Sequence, residues 1–263
     1  MNASLTDNLG WPGRIVVLDS VDSTNDALRR LAGQGAADRT VVVAGEQTAG
    51  KGRRGRVWDS PAGLGLYVSV LFRPGGSARN SALWTLAASV AAAKACRRAG
   101  APEVTIKWPN DLVWMGRKLG GILAEARTTG GTLDEIVVGA GLNLLHGPDD
   151  FPPALAAVAT SLRLATGGLP VDRDRLALSY LQALGLASAC VLADTPDELV
   201  REWESLAPGA RGANVRVIPD SRLEQAVTGE TCGLDPGGAL RIRLENGRMS
   251  TAGPLDSVVP LRS

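Results

Sequence analysis

The chain has 263 residues, 44% apolar and 21% charged, with Lys+Arg 28 against Asp+Glu 27 and a net charge of +1. That is ordinary globular composition with room for one sizeable core and a small appended domain, which excludes a disordered chain. The even charge balance offers no basic field of the kind that binds nucleic acid.

The opening reads as strand then helix. Residues 14–18 are β-branched and apolar, and Asp22-Ser23-Thr24 offers capping oxygens ahead of a helix over 27–32. Residues 40–45 read as a buried strand. They lead into Gln47–Arg56, rich in Gly and Arg and without periodicity, hence a loop. A strand follows over 64–72, then an alanine-rich helix over 81–99 with Leu83, Leu86 and Val90 on one face. Residues 104–108 form a strand that breaks at Pro109-Asn110. Two further strands, 118–126 and 135–142, are joined by a Thr-Thr-Gly-Gly turn. Residues 142–153 read as loop, and 172–193 and 196–206 as helices with acidic residues near their starts. After Pro208 the pattern changes to short strands, at 215–217, 225–228, 239–244 and 248–251, between Pro, Gly and Asn-Gly turns. About 50 residues of this kind predict a small SH3-like barrel. The expected fold is therefore α+β, with a mixed-sheet catalytic domain over 1–208 and a C-terminal barrel over 209–263.

Compartment and membrane signals are sparse. Cys96, Cys190 and Cys232 stand apart with no histidine cluster, which predicts reduced thiols in a cytoplasmic protein and no metal site. The first ten residues show no signal peptide. The longest apolar stretch, residues 82–93, is about a dozen residues where a span needs about 20, so no membrane is expected.

The segment Gly50-Lys51-Gly52-Arg53-Arg54-Gly55-Arg56-Val57-Trp58 carries most chemical information. Its glycines let backbone N–H groups approach an anion, and its cations supply charge for phosphate or carboxylate. The Gly-Lys-[Ser/Thr] ending of a Walker loop is absent. By composition alone a solvated basic loop or a nucleic-acid patch fits equally well.

This segment resembles the Gly-Arg-Gly-Arg-x-Gly-Arg-x-Trp loop of biotin–protein ligases. Four further matches stand in that family's order: Ser23-Thr24-Asn25, Lys107-Trp108-Pro109-Asn110-Asp111, Lys118-Leu119-Gly120-Gly121-Ile122-Leu123 and Gly139-Ala140-Gly141-Leu142-Asn143. The resemblance implies an ATP-dependent enzyme, with Mg²⁺, that forms biotinyl-5′-AMP and pyrophosphate. It then transfers biotin to a lysine of the biotin carboxyl carrier domain of an acyl-CoA carboxylase.

By the same resemblance Lys118, Arg53 and Asp111 are catalytic. Ser23, Thr24, Asn25, Gln47, Gly50, Lys51, Gly121, Ile122, Leu123 and Gly139 surround biotin. Arg53, Arg54, Arg56, Trp58, Lys107, Lys118, Asn143 and Arg262 serve the nucleotide, with Trp58 stacking on adenine. Lys51 replaces the family's usual first loop arginine, keeping the charge and losing the planar fork. Asp111 admits three roles: orienting the acceptor lysine, holding Mg²⁺, or capping the Pro-Asn turn. Trp108, Trp114, Trp84 and Trp203 read as packing residues, and His146 receives no role.

Rival functions fit less well. A lipoate–protein ligase would carry an Arg-Arg-x-Ser-Gly-Gly-Gly motif that is missing here. A biotin-dependent repressor needs a helix-turn-helix, for which the roughly 13 residues before the first strand leave no room. A ligand carrier without catalysis has no use for Lys118 together with the arginine loop.

Overall fold

The structure, a computed structural model, describes residues 11–261. A seven-stranded sheet runs in the order β1 (Ile15–Val21), β2 (Val41–Gln47), β3 (Gly65–Phe72), β7 (Thr132–Asn143), β6 (Arg117–Thr129), β5 (Asp111–Trp114), β4 (Thr105–Lys107). Only β1 and β2 pair in parallel, and helix α1 (Thr24–Gly33) is the crossover that this requires. Every residue of β3 is buried, as suits a central strand covered on both faces.

Helix α2 (Ser81–Arg98) is apolar on nearly all sides and buried from Leu83 to Cys96 apart from Thr85 and Lys94. Its alanines let α5 (Arg173–Leu192) and the sheet close on it from two directions, and α6 (Pro196–Leu206) packs beside them. Helix α5 has the length and apolarity of a membrane span, yet half of it is buried in this core. Two single-turn helices, α3 (Pro153–Ala156) and α4 (Leu162–Ala165), follow the segment expected to be loop, in a stretch to which the sequence reading assigns no element.

The C-terminal strands form a second, antiparallel sheet in the order β11 (Met249–Ala252), β10 (Leu240–Leu244), β9 (Val227–Leu234), β8 (Arg211–Ile218), β12 (Ser257–Pro260). Three strands depart from expectation. β9 lies over 227–234 rather than 225–228, because Gly229 and Gly233 read as turn residues but sit inside the strand; at Gly229 a side chain would meet Arg243 O at 2.5 Å. β5 follows directly on Pro109-Asn110 and is only four residues long. β12 occupies residues to which the sequence reading assigns no strand.

One irregularity positions the site. Between β5 and β6 the register shifts, pairing Leu112 with Gly120 and Val113 with Lys118, so that Leu119 is an extra residue in β6. Strict alternation would put Lys118 on the face of Gly120, whose missing side chain is filled by Leu142. The bulge buries Leu119 and turns Lys118 to the same face as Gly121.

Candidate active site

The arginine loop leaves β2 and is tied to the end of β1 by Thr48 N–H donating to Val21 O and Ala49 N–H to Asp22 O, both at 2.8 Å. Within it, Gly52 N–H donates to Arg56 O at 2.7 Å and Trp58 N–H to Gly50 O at 2.9 Å. Arg54 adopts φ 59° and Gly55 φ 70°, a left-handed pair that reverses the chain. At Gly50 a Cβ would stand 2.4 Å from Trp58 O, so the loop's entry admits only glycine.

The loop covers a cleft of about 480 Å³ whose floor is β6 and β7. Ser23, Thr24, Asn25, Gln47, Lys51, Arg53, Arg54, Arg56, Trp58, Lys107, Asp111, Lys118, Gly121, Ile122, Leu123, Gly139 and Asn143 all line it. Among the expected residues, Gly50 stands behind the lining, and Arg262 lies outside the described residues.

At the deep end the α1 start is polar and buried. Ser23, Thr24 and Asn25 are each under 5% exposed. Gln47 Oε1 accepts from Thr24 N–H at 2.8 Å, and Gln47 Nε2 donates to Ser60 Oγ at 2.9 Å. Asn25 Nδ2 donates to Leu123 O (3.2 Å) and Glu125 Oε2 (2.7 Å). Gly139 has to be glycine here, since its Cβ would lie 2.2 Å from Asn25 Oδ1.

In the middle, Lys118 Nζ sits 2.7 Å from Asp111 Oδ1 and 5.3 Å from the Trp58 ring centroid. The Trp58 indole lies flat over Gly141, where any side chain would strike Nε1 at 2.4 Å; that nitrogen is buried with no hydrogen-bond partner. Arg53 Nη1 donates to Asn110 Oδ1 at 2.9 Å, and Asn110 Nδ2 donates to Ile122 O at 2.7 Å. Burial and the neighbouring Arg54 push the Arg53 pKa down, Asp111 opposes them, and Arg56 pushes the same way as Arg54. An anion in the cleft relieves that crowding of charge. Lys51 pairs with Asp26 of α1.

Sequence reasoning missed the outer end. His146, Phe151, Leu155, Val158 and Ala159 line the cleft, and so do Asp256 to Val259 of β12 and the turn before it. Lys118 N–H donates to Val158 O (2.7 Å) and Thr160 N–H to Lys118 O (2.9 Å), so this segment pins the lysine's backbone. Asn143 Nδ2 donates to Thr160 O at 2.9 Å. His146 is 1% exposed and stacks on Phe151 at 4.7 Å, and burial pushes its pKa down. No periodic pattern marks such a segment; His146, the chain's one histidine, was its visible signal. Trp108 is core, as expected, and its Nε1 also donates to Gly238 O of the second sheet at 3.3 Å.

Asp111 does not cap the Pro-Asn turn through any hydrogen bond among the described residues; Asn110 braces that turn, and the Asp111 carboxylate holds Lys118. The cleft sets cations above a floor of glycines, an arrangement suited to anionic ligands. The model of the biotin/lipoate A/B protein ligase family matches residues 17–143. Over 235 residues the chain is 33% identical to the bifunctional ligase/repressor BirA of Bacillus spizizenii, covering 89% of this chain and 70% of that one. Over 248 residues it is 32% identical to the biotin–[acetyl-CoA-carboxylase] ligase of Mycobacterium tuberculosis, covering 89% and 81%. The structure of the biotin protein ligase from Aquifex aeolicus in complex with biotin and ATP superposes with a TM-score of 0.80 at 27% identity, covering 94% and 99%. The chain belongs to the biotin/lipoate A/B protein ligase family, among its biotin–protein ligases. The resemblance drawn from the five motifs is borne out, and so is the fold class.

Proposed function

We propose that this chain joins biotin's carboxylate to the α-phosphate of ATP, releasing pyrophosphate, and then passes the biotinyl group to one lysine of a biotin carboxyl carrier domain of an acyl-CoA carboxylase. The observation that carries this reading is Lys118, turned into the cleft by the Leu119 bulge and held between Asp111 and Trp58. Two anions must meet for the first step, so the site needs fixed cations, and Lys118 with Arg53 supplies them. Biotin's ureido ring fits the deep end at Ser23, Thr24, Asn25 and Gln47, with Gly50 and Lys51 closing it from the loop. Its bicycle and tail follow the wall of Gly121, Ile122, Leu123 and Gly139, with the carboxylate reaching Lys118. The nucleotide takes the outer end, beside Lys107, Arg54, Arg56, Trp58 and Asn143, with Arg262 as a further contact. The division into a ligase domain over 1–208 and a barrel domain over 209–263 belongs to the same proposal, supported by the two sheets lying on either side of Pro208.

Mg²⁺ fits this site as a passenger of the nucleotide. Among the described residues no group of three or more His, Cys, Asp or Glu side chains could hold a metal ion. Mg²⁺ characteristically binds phosphates plus one or two carboxylates, and Asp111 is the carboxylate beside Lys118. When bound it would offset phosphate charge.

The Asp111–Lys118 pair also suits the second step. Once phosphate oxygens take Lys118, the Asp111 carboxylate is free to face an incoming lysine ammonium, orient it and accept its proton. The amine nitrogen then bonds to the acyl carbon as AMP leaves. The test is incubation with ATP, Mg²⁺, biotin and a carrier domain. One biotin per carrier, with AMP and pyrophosphate formed in equal amount, is expected; lipoate replacing biotin with equal efficiency, or an unmodified carrier, would overturn the reading.

A further inference from the structure

Ser69 lies in the middle of β3, is fully buried, and is absent from every motif described above. Its hydroxyl is nonetheless wired to the deep end of the cleft. Ser69 Oγ stands 2.6 Å from Asn25 Oδ1 and 2.8 Å from Thr24 Oγ1, and Thr24 Oγ1 stands 3.0 Å from Gln47 Oε1.

The hydrogens in this cluster can be counted. Asn25 Nδ2 already donates to Leu123 O and Glu125, so its oxygen faces Ser69 and can only accept. Ser60 Oγ–H donates to Trp58 O, so Ser60 accepts from Gln47 Nε2, which fixes Gln47 Oε1 toward Thr24. Three O···O contacts are therefore served by two hydroxyl protons, those of Ser69 and Thr24. The Ser69 proton belongs to Asn25 Oδ1. The Thr24 proton goes either to Ser69 Oγ or to Gln47 Oε1, and one contact always lacks a hydrogen. The cluster is short of one donor, which a ligand N–H can supply.

We propose that Ser69 is a positioning residue for biotin's ureido ring: it takes the Thr24 proton, leaving Gln47 Oε1 and a Thr24 lone pair as acceptors for a ureido N–H. This rests on the reading that the ureido ring occupies the deep end. Ser69 touches no ligand and acts through Thr24 and Asn25. Without its oxygen the Thr24 proton has only Gln47 Oε1 to bind, which blocks the acceptor a ureido N–H requires, and Asn25 loses the partner that holds its amide.

The experiment is calorimetric titration of the full-length protein with biotin alone and with ATP alone, each variant also being melted thermally. Ser69→Ala weakens biotin by about tenfold, the scale of one lost buried hydrogen bond, and leaves ATP within about twofold. Desthiobiotin, which keeps the ureido ring, loses the same factor. Ser69→Cys, close in shape and a poor donor, repeats the result should the alanine variant fold badly. In a Thr24→Val background, adding Ser69→Ala changes the biotin Kd by less than about twofold, because the route through Thr24 is already cut. Unchanged biotin affinity in both variants, equal losses for biotin and ATP, or a full Ser69 effect without the Thr24 hydroxyl would each overturn the inference. A wild-type protein that fails to bind biotin overturns the proposed function itself, and is distinguishable because no variant is then needed.

Discussion

Lys118 Nζ holds two partners, the Asp111 carboxylate and the Trp58 ring, that an incoming anion can displace without exposing a buried charge, since its side chain is 38% exposed. Lys118→Ala should therefore cost chemistry and little stability. Biotin-dependent pyrophosphate exchange is expected to fall at least about a hundredfold, about 2.7 kcal/mol of transition-state stabilisation, with the melting temperature shifted by a few degrees at most. A loss below tenfold removes Lys118 from the reaction. At this scale the sequence spoke through its motifs: the family resemblance singled out Lys118, Arg53, Gly121 and Gly139, and all four line one cleft. Their partners it could not single out. Asp111 as the holder of Lys118, Asn110 as the acceptor for Arg53, and Ser69 beneath Thr24 are relations across strands that no spacing along the chain encodes.

Among elements, helices α2, α5 and α6 and strands β2, β3 and β7 were readable because periodicity and length identify them. The bulge at Leu119 was not, because alternation alone assigns Lys118 to the wrong face of β6. The segment between β7 and α5 was likewise opaque, being too short in each turn to show a period, yet it forms the outer wall of the cleft. Its His146 has a testable signature. The imidazole is buried, which pushes its pKa below the ordinary 6.5, against the weaker opposing pull of Asp150, Asp59 and the Leu64 carbonyl. Below about pH 6.5 the unfolded chain takes up a proton that the folded chain refuses, so stability falls as pH drops toward the folded value; above that window the histidine contributes no pH dependence. Between pH 7 and 5.5 the wild-type melting temperature should drop by more than that of His146→Gln. Parallel curves for the two proteins would show that burial does not govern this group.

Over the whole molecule the two sheets share one hydrophobic core. Val215, Val217, Leu234, Leu240 and Ile242 of the second sheet belong to the same buried cluster as Leu83, Trp84 and Leu86 of α2. Gly238 marks the seam: it has φ 86°, its carbonyl accepts from Trp108 Nε1, and a Cβ there would stand 3.1 Å from Leu86 Cδ1. Gly238→Ala should cost on the order of 1–2 kcal/mol through the left-handed backbone and the crowded contact, lowering the melting temperature by roughly 2–8 °C. Because the core is continuous, unfolding followed by tryptophan fluorescence and by far-ultraviolet circular dichroism should give one coincident transition in wild type and variant alike. Two separated transitions would mean that the barrel stands alone.

Of the chain's six tryptophans, Trp84 and Trp203 are fully buried in the core and stand outside the cleft lining, whereas Trp108 is nearly buried and also lines the cleft. Trp58 differs from them. Its ring lies over Gly141 with an ammonium at 5.3 Å, and its pyrrole nitrogen, like that of Trp203, has no hydrogen-bond partner. A nearby cation shifts the energy of the excited state, and on the proposed function that cation moves when Lys118 turns to a phosphate. On that same reading, the protein thus carries its own chromophore at the point where the two substrates would meet. Filling of the site is written into the colour and brightness of its emitted light, with no dye attached.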